Sequence, residues 1–171
     1  FPGDAQAGTD VWTEILKPDT SSNTFRSIAV HPTKSDTIFA GNDSSLLFRS
    51  FDGGTTWSGI QIDVDTLNIV QLHVDPQKPD TVIFAVTDSG GVYQSVNTGL
   101  TWHKINNGLT DTITTAIAIN PNNSQIMYVS SDSGVFKTNN KGSSWYPVNS
   151  GLDSLLISTL VMDPNDPSSL Y

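Results

Sequence analysis

The chain has 171 residues, of which 36% are hydrophobic and 15% are charged, a composition typical of a folded globular protein. Seventeen acidic residues against eight Lys and Arg give a formal net charge of −9, so we expect neither nucleic acid nor an anionic membrane as a partner. The chain has no Cys, which excludes disulfides and Cys-ligated metal sites, and no run of 18 apolar residues that would insert into a membrane.

Four short candidate strands, labelled A to D, recur in a fixed order with turn-forming residues between them. Strand D comes first, as WTEI at 12–15. Strand A ends before a Pro, as SIAV, QLHV, AIAI and TLVM; strand B is DTIFAG, TVIFAV, QIMYVS or SSLY; strand C is LLFRS, GVYQS or GVFKT; later D strands are WSGI, WHKI and WYPV. Asp, Asn, Ser, Thr, Gly and Pro are abundant, and they favour turns over helices. We predict an all-β fold.

One octet joins strand C to strand D three times, as SFDGGTTW at 50–57, SVNTGLTW at 95–102 and TNNKGSSW at 138–145. Its Asp or Asn is suited to accept backbone N–H bonds within the turn, its Gly permits positive φ, and its Trp is predicted to pack between neighbouring sheets. A phosphate loop would need a helix start and a Lys, and a calcium loop several carboxylates. The predicted structural residues are Ser50, Asp52, Gly54, Trp57, Ser95, Asn97, Gly99, Trp102, Thr138, Asn140, Gly142 and Trp145.

Two independent markers keep one period along the chain. Tryptophans at 12, 57, 102 and 145 are 45, 45 and 43 residues apart, and the prolines after strand A, at 32, 76, 121 and 164, are 44, 45 and 43 apart. Repeats of about 44 residues that contain four short strands predict a β-propeller built from four-stranded antiparallel blades.

The octets resemble the Asp-box, or BNR repeat, of sialidases, sortilin-type receptors, xyloglucan-hydrolysing enzymes and photosystem assembly-factor-like proteins. Segments such as GVYQSVNTGLTWHKI are most similar to the bacterial sortilin-like and xyloglucanase-like sets. The resemblance implies a propeller fold and leaves function open, since the box occurs with unrelated activities. It also implies that ligands bind on the face of the disc without the boxes.

We predict one propeller domain or segment over residues 1–171. Its blades lie at about 27–64, 70–109 and 115–152, with partial blades at 1–18 and 158–171. Rings of this family usually have six or more blades, so a partial ring is expected; the alternative is a closed ring of four blades. An open ring leaves sheet faces uncovered, so we expect the remaining propeller segment or a second copy of the chain as a partner.

The predicted ligand face contains the B-to-C and D-to-A connections. It is acidic, and only Lys17 opposes its carboxylates. Such a face is suited to a protein or glycan ligand, although Asp is also an ordinary solvated turn residue. We expect no cofactor, and calcium is the ion that an acidic face leaves open. The candidate ligand residues are Asp43, Asp63, Asp65, Asp88, Asp111, Asp132 and Asp153.

No complete catalytic set emerges from the sequence. A sialidase site, by resemblance, needs three Arg around the substrate carboxylate, and the chain has only Arg26 and Arg49. Xyloglucanase-like enzymes use two Asp from facing propellers, and no residue can be assigned that role. His31, His73 and His103 occupy different repeat positions, which disfavours Ser-His-Asp catalysis, and His73 lies on a strand A that would line the central channel.

The sequence thus predicts a noncatalytic propeller that acts as a binding or assembly scaffold for protein or glycan. Tyr146, Phe1 and Phe25 are the predicted exposed aromatic residues, suited to sugar stacking or to blade packing. The alternative function is that of a piece of a xyloglucanase-like glycoside hydrolase. The chain begins at Phe1, in keeping with a removed signal peptide or with a piece of a longer protein, and we expect a secreted or cell-surface location, with the periplasm as an alternative.

Overall fold

The computed structural model describes residues 24–63 and 67–171, which contain twelve β-strands in three sheets. Each sheet is a four-stranded antiparallel meander whose strands are ordered as in the sequence, which confirms the predicted fold class. The first sheet comprises β1 (Phe25–His31), β2 (Lys34–Asn42), β3 (Leu46–Ser50) and β4 (Ser58–Gln61); the second comprises β5 (Ile69–Val74), β6 (Ile83–Thr87), β7 (Gly91–Ser95) and β8 (His103–Lys104); the third comprises β9 (Thr114–Ile119), β10 (Met127–Ser131), β11 (Gly134–Thr138) and β12 (Tyr146–Pro147).

The predicted D strands are the least accurate. Each was expected to begin at the octet Trp, but β4, β8 and β12 begin one residue later, and β8 and β12 contain only two residues each. Each Trp belongs to the turn that precedes the strand. The indole N–H groups of Trp57 and Trp102 donate to carbonyls of their own turns, whereas the indole and backbone N–H groups of Trp145 donate to carbonyls of the neighbouring sheet's segment. The three C strands match their predicted ranges.

The last predicted strand pair forms a short hairpin. Val161 and Tyr171 exchange backbone hydrogen bonds of 2.7 and 2.8 Å, and Met162 and Leu170 form an isolated antiparallel bridge. The N-terminal strand predicted at 12–15 lies outside the described residues. The blade boundaries stay predictions, because the sheets show where strands pair and not where each repeat unit begins.

The cores lie between successive sheets. Phe39 and Leu47 of the first sheet pack with Leu72, Ile83 and Tyr93 of the second. The same arrangement continues from the second sheet to the third, and from the third sheet to the hairpin at Leu160 and Met162. Since strand residues alternate between faces, a sheet covered on both sides needs apolar residues at consecutive positions, as in the fully buried strands β6 and β7. The first strands of the three sheets, β1, β5 and β9, lie side by side.

Candidate functional site

The three octets form the same hydrogen-bonded turn. In the first, the Ser50 hydroxyl accepts the Gly54 N–H at 2.8 Å and donates to the Asp52 carboxylate at 2.8 Å. Asp52 in turn accepts the backbone N–H of Thr56 at 2.8 Å and its hydroxyl at 2.6 Å. The other two boxes repeat these bonds. The hydroxyls of Ser95 and Thr138 accept the Gly N–H at distances within 0.2 Å of that in the first box. The side-chain oxygens of Asn97 and Asn140 accept the backbone N–H four residues later at distances within 0.1 Å of that in the first box.

Each box contains two successive residues with left-handed backbone. They are Gly53 and Gly54 in the first box (φ 68° and 89°), Thr98 and Gly99 in the second, and Lys141 and Gly142 in the third. A Cβ on Gly99 would lie 2.5 Å from a Leu47 methyl carbon in the first sheet, so this Gly is required by packing as well as by φ.

The boxes share a face with the A-to-B turns. The first left-handed residue of each box donates its N–H to the carbonyl at the start of strand B in the same sheet: Gly53 to Asp36 (3.0 Å), Thr98 to Thr81 (2.9 Å) and Lys141 to Gln125 (3.0 Å). The B-to-C turns bond instead to the segment that enters strand A, as in the Asp43 and Asp88 contacts below. We call the face with the boxes and the A-to-B turns the box face, and the face with the B-to-C turns the open face.

The octet tryptophans are not equally buried. Trp145 is only 4% exposed, and its indole N–H donates to the Ile105 carbonyl of the preceding sheet at 2.6 Å, so it packs between sheets as predicted. Trp57 and Trp102 are half-buried, and their indoles donate to their own box carbonyls, Gly54 at 3.0 Å and Gly99 at 3.1 Å. Trp102 still packs against the core between the first two sheets.

Hydrogen bonding gives Asp52 an unusual acidity. The hydroxyl and the N–H of Thr56, with the Ser50 hydroxyl, lower the pKa of the Asp52 carboxyl from 3.8 to about 2. These groups favour the ionised form because each donates a hydrogen bond to the carboxylate. In the other boxes the neutral Asn97 and Asn140 instead donate from the side-chain amide to the hydroxyl four residues later, each at 2.8 Å.

On the open face, the predicted ligand carboxylates of the B-to-C turns accept hydrogen bonds from their own sheet. Asp43 accepts the Thr24 N–H at 3.2 Å, and Asp88 accepts the Asn68 N–H at 3.1 Å together with the Asn68 amide. Each bond ties a B-to-C turn to the segment entering strand A of the same sheet. These two carboxylates are therefore used in holding the strands together.

Asp63 lies in a polar cluster with Tyr93 and Lys104. Its carboxylate accepts the Tyr93 hydroxyl and lies 3.0 Å from the Lys104 ammonium, so Lys104 is a second cation of this face that the repeat pattern did not reveal. Burial and the hydrogen bond to Asp63 raise the pKa of Tyr93 to about 12, and the Asp63 contact raises the pKa of Lys104. Its predicted neighbour Asp65, like Lys17, lies outside the described residues.

Three further candidates belong to the open face, namely Asp111, Asp132 and Asp153. Asp111 accepts the Ile113 N–H at 2.9 Å and the Ser133 hydroxyl at 3.0 Å; burial opposes its ionisation, and these bonds outweigh it and lower its pKa. Asp132 and Asp153 are exposed. Among residues 24–63 and 67–171, no three His, Asp or Glu side chains are grouped as metal ligands, and calcium binding stays a prediction. In the same residues, no helix has the length and apolar character needed to cross a membrane.

A buried ion pair joins the second and third sheets. Asp75 is fully buried in the A-to-B turn after β5 and contacts the Lys141 ammonium of the third box. Burial opposes ionisation of Asp75, but Lys141 and the Gln77 N–H, which bonds at 2.8 Å, hold its pKa below the ordinary value. His73, on the same strand, has a lowered pKa because it is largely buried, and Asp75 is the charged group that opposes this shift, a neighbour that the repeat pattern did not predict.

The corresponding place between the first and second sheets is a cleft of about 330 Å³ on the box face. Here His31 replaces Asp75, and Thr98 replaces Lys141. The Thr98 hydroxyl reaches only the Asp80 carbonyl, at 3.1 Å, so the space that a Lys side chain would cross is open. We name this the first-junction cleft; its walls include His31, Lys34, Arg49, Phe51, Asp80 and Leu100.

Sequence reasoning missed this cleft. Phe51 is 54% exposed, whereas Phe25, predicted to be exposed, is half-buried and packs edge-on against Phe48 at 5.5 Å. The missed signal was a departure from the repeat: Arg49 stands where the other sheets have Gln94 and Lys137, and Phe51 where they have Val96 and Asn139. Tyr146 is exposed, as predicted.

No protein-family model matches the chain. The vacuolar protein sorting/targeting protein 10 of Schizosaccharomyces japonicus is 30% identical over 98 residues, which are 57% of this chain and 7% of that protein. The oligoxyloglucan-reducing end-specific xyloglucanase of Emericella nidulans is 29% identical over 82 residues, 46% of this chain and 10% of that enzyme. The chain thus spans a tenth or less of the length of these curated relatives.

Solved structures show the same fold. An ancestral GH74 enzyme superposes with a TM-score of 0.66 at 22% identity, over 82% of this chain and 21% of that one. The protein YCF48, solved bound to D1 peptide, superposes with a TM-score of 0.60 at 14% identity, over 92% of this chain and 55% of that one. The chain therefore has distant similarity to sorting-receptor, xyloglucanase and YCF48-type BNR-repeat propellers, as the resemblance of the octets predicted.

Proposed function

We propose that the chain is a noncatalytic segment of a secreted or cell-surface propeller and that it binds a protein partner. The observation that carries this proposal is that four candidate carboxylates of the open face are bonded to other groups of the chain. Asp43, Asp88 and Asp111 accept hydrogen bonds from their own blades, and Asp63 accepts one from Tyr93 and pairs with Lys104. Carboxylates committed in this way hold strands and loops together, which is the work of a scaffold.

Distant relatives support binding as the activity. One is named as a sorting and targeting protein, and another was solved with a peptide bound. Stacked sheets offer such a partner a rigid surface, because the second and third sheets are packed on both sides by apolar side chains.

We further propose that a second copy of the chain covers the outer face of the first sheet. Ile28 and Val30 of β1 are 60% and 51% exposed. Their equivalents in the next two sheets and the hairpin, among them Leu72 and Ile117, are all buried against the preceding repeat. The hairpin exposes Val161 and Tyr171 at the other end of the stack, so one copy offers both complementary surfaces.

The second candidate function is xyloglucan hydrolysis by a larger enzyme that contains this segment. It is favoured by the similarity to the Emericella nidulans xyloglucanase and to the GH74 fold. Such an enzyme needs a pair of carboxylates free to act on a glycosidic bond.

One pair of measurements separates the two functions. Release of reducing ends from xyloglucan is assayed with the chain, and the secreted proteins of its natural source are passed over the immobilised chain, with heat-unfolded chain as the control. A partner that is then purified and binds with a measurable Kd supports the scaffold. Turnover of xyloglucan that Asp111→Asn or Asp132→Asn abolishes would overturn it.

A further inference from the structure

The first-junction cleft combines positive charge with exposed apolar surface in a chain whose net charge is −9. Arg49, Lys34 and His31 border it, and Asp80 is the acidic side chain among its lining residues. Asp80 is already engaged, since it pairs with Lys34 and lies 3.3 Å from the His31 ring. The cation left to receive an anionic ligand is Arg49.

The Arg49 guanidinium is held in place and only partly used. Its Nη1 donates to the Thr98 carbonyl at 2.9 Å and its Nε to the Ser58 hydroxyl at 3.2 Å, and its plane lies over Phe51 at 5.5 Å from the ring centre. A guanidinium has five N–H groups, and three of them donate no hydrogen bond to a residue of the described ranges 24–63 and 67–171. Within residues 24–63 and 67–171, no carboxylate forms a salt bridge with it. A planar group of this kind matches a carboxylate in a two-bond arrangement.

The apolar part of the cleft favours a peptide over a sugar. Phe51 and Leu100 border it and are 54% and 53% exposed. An aliphatic side chain such as that of Leu100 offers no partner to sugar hydroxyls, whereas an apolar side chain of a peptide would bury surface against both residues. At the junction between the second and third sheets Lys141 contacts Asp75, and Val96 and Ser143 stand at the repeat positions of Phe51 and Leu100.

We propose that the first-junction cleft recognises a peptide segment in which an acidic side chain lies beside a large apolar one. Arg49 pairs with the carboxylate, and Phe51 and Leu100 contact the apolar side chain. This assignment rests on the proposed protein-binding function and places the contact on the box face, opposite the face that the family resemblance implied.

The probe for this proposal is a fluorescein-labelled peptide, Ser-Gly-Leu-Glu-Phe-Gly-Ser, compared with the same peptide carrying Gln in place of Glu. Fluorescence anisotropy at low and high salt gives the affinities. Arg49→Gln and Phe51→Val introduce the residues that the second sheet has at these positions. Lys137→Gln is the matched control, because it removes a cation from the same repeat position in the third sheet.

We expect the Glu peptide to bind more tightly than the Gln peptide, and less tightly as salt rises. Arg49→Gln should weaken binding of the Glu peptide by about ten-fold or more, Phe51→Val should weaken both peptides, and Lys137→Gln should change neither. Unchanged thermal midpoints show that the variants are folded, and Phe51→Val, which leaves the Arg49 bonds intact, keeps the test valid if Arg49→Gln is unstable.

Equal binding of the two peptides, or a Glu-peptide affinity that neither variant changes, overturns the proposal. Tighter binding of an oligogalacturonate that Arg49→Gln abolishes also overturns it, in favour of an acidic sugar. A purified natural partner that binds Arg49→Gln and the unaltered chain equally well overturns this cleft assignment and leaves the protein-binding function standing. Xyloglucan turnover, in contrast, contradicts the function itself.

Discussion

At the scale of single residues, the three boxes show how one turn is built with two different side chains. Asp52 accepts a hydrogen bond from the Thr56 hydroxyl, whereas the side-chain amides of Asn97 and Asn140 donate a hydrogen bond to the hydroxyl at the matching position. The backbone bond to the residue four positions on is the same in all three. A hydroxyl can donate or accept, and this lets Asp and Asn alternate at one repeat position without changing the turn.

The charge of Asp52 makes its box sensitive to acid. Because the folded pKa of about 2 is below the ordinary 3.8, ionised Asp52 stabilises the fold above pH 3.8, and this stabilisation is lost as the pH falls toward about 2. We predict that Asp52→Asn lowers the slope of the thermal midpoint against pH in this window. Thermal unfolding followed by circular dichroism measures it, with Asp153→Asn, a change at an exposed carboxylate, as the control. An unchanged slope would contradict the prediction.

Asp75 and Lys141 form a pair that can be dismantled in two ways. Lys141→Met leaves a buried carboxylate without its cation and is predicted to lower the free energy of unfolding by about 3 to 5 kcal/mol. Adding Asp75→Asn should restore much of this loss, because Asn120 fills the same place in the third sheet and accepts the same turn N–H groups. Urea denaturation compares the three proteins. A double variant no more stable than Lys141→Met would show that the buried charge is not the cause.

At the scale of structural elements, the box is a joint between sheets as well as a turn within one. In the second and third boxes the Trp and the Gly lie against the preceding sheet, as Trp145 does through its bond to the Ile105 carbonyl and Gly99 through its close approach to Leu47. The degree of Trp burial therefore measures how much each box contributes to stacking.

We predict that Trp145→Ala costs about 3 to 5 kcal/mol of unfolding free energy, since it empties a buried site and removes the bond to Ile105. Trp57→Ala should cost only about 1 to 2 kcal/mol, because this ring is half-buried and bonds to its own turn. Equilibrium denaturation measures both values, and each variant is the control for the other. Equal losses would mean that the two boxes pack alike in solution.

At the scale of the whole molecule, the stack formed by residues 24–63 and 67–171 has two unlike ends. The first sheet presents Ile28 and Val30 to solvent, and the terminal hairpin presents Val161 and Tyr171. Inside the stack, equivalent strand-A residues are covered by the preceding repeat. Exposed apolar faces of this kind favour association.

We predict that the chain associates in a concentration-dependent manner and that Ile28→Ser with Val30→Ser weakens this association. Analytical ultracentrifugation over a hundred-fold range of concentration would detect it, and Val96→Ser, at an exposed apolar residue of the second box, is the control. A mass of 18.4 kDa at every concentration would contradict the prediction.

The functional surfaces were the least predictable part of the molecule. Strand alternation predicts which carboxylates share the open face, whereas the partners of Asp63 and Asp88 depend on which side chains meet across loops and sheets. The first-junction cleft arises because Thr98 is too short to cross a gap that Lys141 crosses one repeat later. A single side chain changes such a gap without changing the period.

The sequence by itself determined the repeat, the four strands of each unit and the turn chemistry of the boxes, because these depend on residues close together in the chain. Ser50, Asp52 and Gly54 meet within one turn, so their spacing is enough to predict their bonds. Only the tertiary structure decided that Trp145 bonds to another sheet, that Asp75 pairs with Lys141 and that Arg49 borders a cleft. Those contacts join residues of different repeats, and their geometry is set by how the sheets pack.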